Sequence, residues 1–470
     1  MTKSLTTGSP TRLIILFALP LLVGNVFQQA YSFTDAAVVG RLIGVDALAS
    51  VGATGGLVFL LIGFTWGSSG GLAIPVARAF GAGDFAAMRR YVAAGVYVTA
   101  GVAAVITIVG GLFARRLLAL LSTPPELIDG ATTFLSVTFA GAAVTATFNF
   151  LSGMIRALGD SRTPLIFLAI ACVVNAGLAL AFVGVLHLGI AGSALATVVA
   201  QFVSVAACLT LIARKMPQLR PRRGDWRPSR DEFVESAKSG LAMGFQMSVI
   251  AVGSLVLQYA INGLGAMSVA AFTSAMRVDQ LATAPLNSFG LAMATYVAQN
   301  RGARAWRRIR VGVLRIGLVN SGLACALGAV NIVFGTSIVR VFVGDSEDGV
   351  VALAHQYLVL VGMTYVLLAL MFVLRNTIQG LGFTGVPTMA GLMELVMRAA
   401  VALVLVRSFG FLGVCLAAPL AWVGALIPVT IAWVRQRKLL LARERGEIPA
   451  VDVAKTHRRP GGRRHALAAA

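Results

Sequence analysis

The chain is short of charge, and of acid above all. Only 12% of its 470 residues are charged, and 18 Asp and Glu stand against 39 Lys and Arg. A soluble domain needs about twice that charged share to cover its surface, so a water-soluble globular fold is excluded. Histidine and cysteine are equally sparse, with four of each. His187, His355, His457 and His465 stand at no metal-ligand or acid/base spacing. Cys172, Cys208, Cys325 and Cys415 lie singly inside apolar runs, where structural burial is expected. No Ser/His/Asp constellation and no Gly-rich phosphate motif stands out. The chain therefore reads as a non-enzyme without metal or cofactor. Short alternating strands are also missing, which removes a membrane barrel.

What remains is apolar and glycine-rich: 58% of the residues are hydrophobic and 51 are Gly, and the mean hydropathy is +0.85. These values describe an all-α integral membrane protein, in which small residues let helices approach closely. Twelve apolar runs of spanning length occur, at 13–40, 47–77, 92–114, 131–155, 164–186 and 190–213, then at 238–262, 267–298, 311–339, 351–379, 387–407 and 411–434. The first run is too long for a secretory signal core and is expected to be retained.

The net charge of +21 would suit nucleic acid, but position decides otherwise. Most Lys and Arg fall in the N-terminus, the even-numbered loops and the tail, while the opposite loops hold only Arg41, Arg115, Arg116, Arg340 and Arg407. By the positive-inside rule both termini are cytoplasmic, and the basic loops face anionic lipid. The expected setting is a cell inner membrane or plasma membrane, with no nucleic-acid partner. Four regions follow: a first six-helix bundle at 1–213, a basic linker at 214–237 partly helical along the membrane surface, a second bundle at 238–435, and a basic tail at 436–470 expected to be disordered.

Within the first run, Asn25, Gln28, Ser32 and Asp35 fall on one helical face, and Val26, Ala30, Phe33 and Ala37 on the other. The stripe ends in an acid with no basic neighbour in sequence. Charge in hydrocarbon is expensive, so such an acid marks a functional site. Burial raises the proton affinity of a carboxyl toward physiological pH, which suits a group that is charged in one state and neutral in the other.

The two halves match at an offset of 220 to 223 residues: IRALG at Ile155 to Gly159 with IQGLG at Ile378 to Gly382, LGIAGSALA at Leu188 to Ala196 with FGFLGVCLA at Phe409 to Ala417, and PVARAFGA at Pro75 to Ala82 with YVAQNRGA at Tyr296 to Ala303. Six runs separate the copies, so the repeat is parallel and its two-fold axis lies along the membrane normal. The expected architecture is twelve transmembrane helices in two pseudo-symmetric six-helix bundles around a central cavity. At an offset of 220, Leu255 stands opposite Asp35, so a site built on this acid belongs to the first bundle alone.

Taken together, VFQQAYSFTDAAVVGR in the first run, DALASVG opening the second, IRALGDSRTP after the fourth, GIAGSALAT in the sixth and YVAQNRGA after the eighth resemble the multidrug and toxic compound extrusion family, most closely its DinF-like bacterial branch. The resemblance covers about residues 10 to 435. It implies an antiporter that exports small organic, often cationic, compounds in exchange for inward H⁺ or Na⁺. It also implies that Asp35 works with Asn175 and Thr197 in the fifth and sixth helices. Where many relatives carry a second acid one turn after the asparagine, this chain has Ala179; a lone carboxylate suits a proton better than Na⁺, which wants several oxygens. The alternative on the same fold is an exporter or flippase of a lipid-linked or metabolic substrate. A monomer is expected.

Further candidates for the cavity are Gln28, Tyr31, Met276, Arg277, Asp279, Glu394 and Arg398. Glu394 and Arg398 are four apart and can pair on one helical face, whereas Arg277 and Asp279 point to different sides. Methionine is concentrated in the second half, which suits a pocket accepting many shapes. Pro20 leaves the Leu16 carbonyl without its helical donor and is a candidate hinge.

Overall fold

The computed structural model describes residues 4–121, 123–343 and 347–448, and these are almost wholly helical. In the first half come α1 (Pro10–Leu42), α2 (Val45–Gly81), α3 (Phe85–Leu120), α4 in two pieces (Pro125–Ala140 and Ala142–Ala157), α5 (Arg162–Val185) and α6 (Gly189–Lys215). The second half holds α7 (Arg230–Asn262), α8 (Ala266–Gly302), α9 (Trp306–Val343), α10 (Asp348–Gly380), α11 (Gly385–Phe409) and α12 (Phe411–Glu444). Among the described residues ten helices are long and apolar enough to cross a membrane, and the bent α4 makes eleven. The remaining helix, α8, is 37 residues long but carries Arg277, Asp279, Gln280 and Asn287. It can be more polar because α1, α2, α9 and α10 surround it. The protein is an all-α, multi-pass membrane protein of twelve helices in two bundles.

The repeat is written into the backbone. Gly44 and Gly265 precede α2 and α8 with φ of 127° and 92°, a region open to glycine. Gly83 and Arg304 occupy equivalent turns with φ of 71° and 56°, so the second copy keeps the left-handed turn without the glycine. Both α5 and α11 carry a π-helical turn at the same register, at Leu180–Val185 and Val401–Leu405. One feature departs from symmetry, and the apolar pattern gave no sign of it. α4 breaks at Gly141 with a bend of 47°, whereas its counterpart α10 runs unbroken. The Thr107 hydroxyl donates to the Phe139 carbonyl at 3.0 Å, supplying a bond at the break. Val198 packs so close to Gly141 that a side chain there would collide.

Helix ends run past the apolar runs because caps, not hydropathy, stop them. α7 starts at Arg230, well before 238, on a capping box in which Ser229 and Glu232 satisfy each other's N–H groups. The linker between α6 and α7 is accordingly shorter than expected and consists of two short 3₁₀ turns, Pro217–Leu219 and Arg223–Trp226. It is strapped to α3: Arg89 pairs with Asp225 at 2.7 Å, the Tyr97 hydroxyl donates to the Trp226 carbonyl at 2.9 Å, and Leu219 is buried. α12 likewise continues to Glu444, which Arg310 holds, so the helix extends into the stretch expected to be tail. The remainder from 449, with His457 and His465, lies outside the described residues. Of the cysteines, Cys208 and Cys415 are buried as expected, while Cys172 is half-buried and Cys325 exposed.

At the face carrying both described termini, the residues ahead of α1 are clipped onto the second bundle. The Leu5 N–H donates to Gln299 Oε1 at 2.9 Å, and its carbonyl accepts from Asn300 Nδ2 and Arg308 Nη2, each at 3.2 Å. Gln299 in turn donates to the Ala157 carbonyl of α4 at 2.7 Å. One buried glutamine thus ties three parts of the chain together.

Candidate functional site

A cavity of about 440 Å³ lies between the bundles, within the usual range for a drug-sized ligand. Its first-bundle wall includes Pro20, Asn25 and Gln28 of α1, Trp66 of α2, and Phe148 and Arg156 of α4. The second bundle contributes Met276 and Asp279 of α8, Arg375 of α10, Glu394 and Arg398 of α11, and Trp422 of α12. Asn25 Nδ2 donates to Ser288 Oγ of α8 at 3.2 Å, joining the two walls.

Gln28, Met276, Asp279, Glu394 and Arg398 line the cavity as the sequence suggested, but their partners differ. Glu394 pairs with Arg375 of α10 at 2.8 Å, not with Arg398 on its own helix. The i, i+4 spacing allowed the local pair, yet α10 brings a second guanidinium to the buried carboxylate. Arg375 also lies over the Phe372 ring, 5.4 Å from its centre. Arg398 is left with no ion pair among the described residues, and its Nε is buried without a hydrogen-bond partner. Asp279 accepts from the Tyr365 hydroxyl at 2.7 Å, and Asn331 Nδ2 donates to that hydroxyl at 2.8 Å. Arg277 does not reach the cavity: it is exposed and stands 5.9 Å from the Phe33 ring centre. Two residues apart on one helix, Asp279 turns inward and Arg277 outward.

Asp35 and Tyr31 are absent from the cavity wall. The polar stripe of α1 divides: Asn25 and Gln28 face the cavity, while Asp35 reaches α6, where Ser193 Oγ donates to its Oδ1 at 2.5 Å. Asn175 of α5 and Thr197 of α6 meet each other at 3.2 Å. The Tyr31 hydroxyl is buried beside both, one turn from Asp35, without hydrogen-bonding geometry to either; Asn175 Oδ1 is likewise buried and unpartnered. The structure therefore gathers Asp35, Tyr31, Asn175 and Thr197 in one polar pocket inside the first bundle. Ser193 was missed by the sequence reading, although it lies one turn from Thr197 on the same helix. Ala179, one turn beyond Asn175, is fully buried with Val38, Val183 and Ala196 in an apolar cluster. α1 runs unbroken from Pro10 to Leu42 with Pro20 inside it.

Comparison with known proteins follows the same outline. The MatE family model matches residues 20–181 and 242–404, one stretch in each half. A probable multidrug resistance protein, YpnP of Bacillus subtilis, is 31% identical over 379 residues, covering 80% of this chain and 84% of that protein. DNA damage-inducible protein F of Escherichia coli is 25% identical over 359 residues, covering 73% of this chain and 74% of that protein. A solved structure described as the outward-facing conformation of a multidrug resistance MATE family transporter superposes with a TM-score of 0.85 at 21% identity, covering 93% of this chain and 98% of that one.

Proposed function

The chain belongs to the MatE family of membrane transporters, and from that premise we propose that it is a secondary antiporter exporting small organic compounds in exchange for protons that enter through Asp35. In this reading the face carrying both described ends of the chain is cytoplasmic, because Lys and Arg concentrate in the loops on that side. Substrate occupies the cavity between the bundles, and the driving ion occupies the separate pocket of the first bundle.

The setting of Asp35 carries the reading. It is a half-buried carboxylate in a membrane helix, with the Ser193 hydroxyl at 2.5 Å and no Lys or Arg pairing with it among the described residues. Ionised, it only accepts, and Ser193 donates to it; protonated, it gains an O–H donor that needs an acceptor, and the unpartnered Asn175 Oδ1 in the same pocket is one. Protonation thus changes which arrangement of α1 against α5 and α6 is preferred, and Pro20 gives α1 a point at which to bend. A difference of about two pH units in proton affinity between two conformations shifts their ratio about a hundredfold. The apolar surroundings of Ala179 support H⁺ over Na⁺, since no second carboxylate completes an oxygen shell there.

The test is norfloxacin uptake into everted vesicles under an imposed ΔpH or Na⁺ gradient. Wild type responds to ΔpH and Asp35→Asn does not; full ΔpH-driven exchange by the variant overturns the role of Asp35.

A further inference from the structure

The fixed charges on the cavity wall run against a purely cationic cargo. Three guanidinium groups, Arg156, Arg375 and Arg398, face two carboxylates, Asp279 and Glu394. Arg375 is answered by Glu394 at 2.8 Å. Asp279 already takes the Tyr365 hydroxyl and forms no ion pair with Arg398 within salt-bridge reach, although it is near enough to feel that charge. Arg156, at the end of α4, has no carboxylate partner among the described residues. Asp35, the acid of the first bundle's polar pocket, is not part of this wall.

An arginine without a partner in a low-dielectric cavity is costly, and its planar fork matches a carboxylate or phosphate. Trp66, Phe148, Phe372 and Trp422 flank these groups with aromatic surface, and Met243 and Met276 with thioether. We infer that the cavity binds an amphiphilic organic anion, a flat apolar body carrying a carboxylate or phosphate that Arg398 and Arg156 neutralise. The inference rests on the transport reading above for the cavity's role, but not on the coupling ion. Arg375 serves the aromatic wall and holds Glu394 away from the cargo. Asp279 competes with the cargo for Arg398.

The experiment compares three probes with one aromatic body, naphthylacetate, naphthylacetamide and naphthylethylamine, titrated calorimetrically into the purified full chain in nanodiscs. The acetate binds most tightly and the amine most weakly. Arg398→Gln and Arg156→Gln each weaken the acetate about tenfold, the worth of a charge-assisted hydrogen bond, and leave the acetamide unchanged, whereas a misfolded variant loses both. Arg398→Lys retains part of the acetate's advantage. Asp279→Asn tightens acetate binding, an effect that damaged folding does not produce. Acetate affinity equal in phosphatidylcholine discs and in discs with phosphatidylglycerol identifies a free organic anion; weakening by phosphatidylglycerol identifies a lipid phosphate held by the same arginines. An amine that binds as tightly as the acetate, or an acetate indifferent to both arginine variants, overturns the inference. Failure of proton coupling is read separately, from Asp35→Asn under ΔpH, and leaves these affinities untouched.

Discussion

Gly81 and Gly302 each press against the other's helix. A Cβ on Gly81 would lie 2.0 Å from the Gln299 carbonyl oxygen of α8, and one on Gly302 would lie 2.0 Å from the Arg78 carbonyl oxygen of α2. The two glycines are repeat mates, as are Arg78 and Gln299, so one contact is made twice across the pseudo-two-fold axis. Closure of the terminal face therefore depends on bare backbone. Gly81→Ala and Gly302→Ala each cost about 1–3 kcal/mol of the closed state, and the double variant costs less than the sum because either one already forces α2 and α8 apart. Spin-label distances across that face read the result: the variants open it, and unchanged distances refute the assignment.

Arg375 and Glu394 are only 5% and 3% exposed, so neither tolerates losing the other. Glu394→Gln strands a buried guanidinium and lowers stability by about 3–5 kcal/mol, while Arg375→Met with Glu394→Leu restores most of it. Thermal unfolding in detergent measures both. A single variant that melts with wild type removes the pair from the structural core of the second bundle.

Ser193 is the hydroxyl that meets Asp35. Ser193→Ala slows ΔpH-driven efflux about tenfold, and Ser193→Thr, which keeps the donor, retains most of it. Equal loss in both variants would point to packing rather than hydrogen bonding.

Acid releases the linker from α3. Burial pushes the Asp225 carboxyl upward, but the Arg222 N–H and the Arg89 guanidinium outweigh it and hold the group below its ordinary value. A depressed carboxyl stabilises the docked form above the unfolded value of about 3.9, and that contribution fades as pH falls through the lower, folded value. Fluorescence of Trp226, in a variant keeping that tryptophan alone, is expected to shift below about pH 4. Asp225→Asn shows the acid-form spectrum at neutral pH.

Much of the architecture was legible because membranes leave few choices. Apolar runs, basic loops and the repeated IRALG and GIAGSALA segments gave twelve helices and two bundles. Asp35 was visible because its cost is local to one helix. The Arg375–Glu394 pair was not, since it joins side chains 19 residues apart on neighbouring helices, and a nearer partner stood at i+4. Facing was the other blind spot. Helical spacing separated Arg277 from Asp279 but could not say which turned inward, and it aligned Asp35 with Gln28 although α1 offers them to different neighbours. The break at Gly141 depends on Val198 and Thr107, two residues distant in sequence.

The clip at Leu5 has a consequence for how the protein is made. Leu5 leaves the ribosome well ahead of Gln299, its acceptor, which follows 294 residues later. At about 5–20 residues per second, the amino-terminal segment waits on the order of 15 to 60 seconds for its seat. The first bundle must therefore enter the membrane with this end untied, and the clip closes only after α8 has been synthesised.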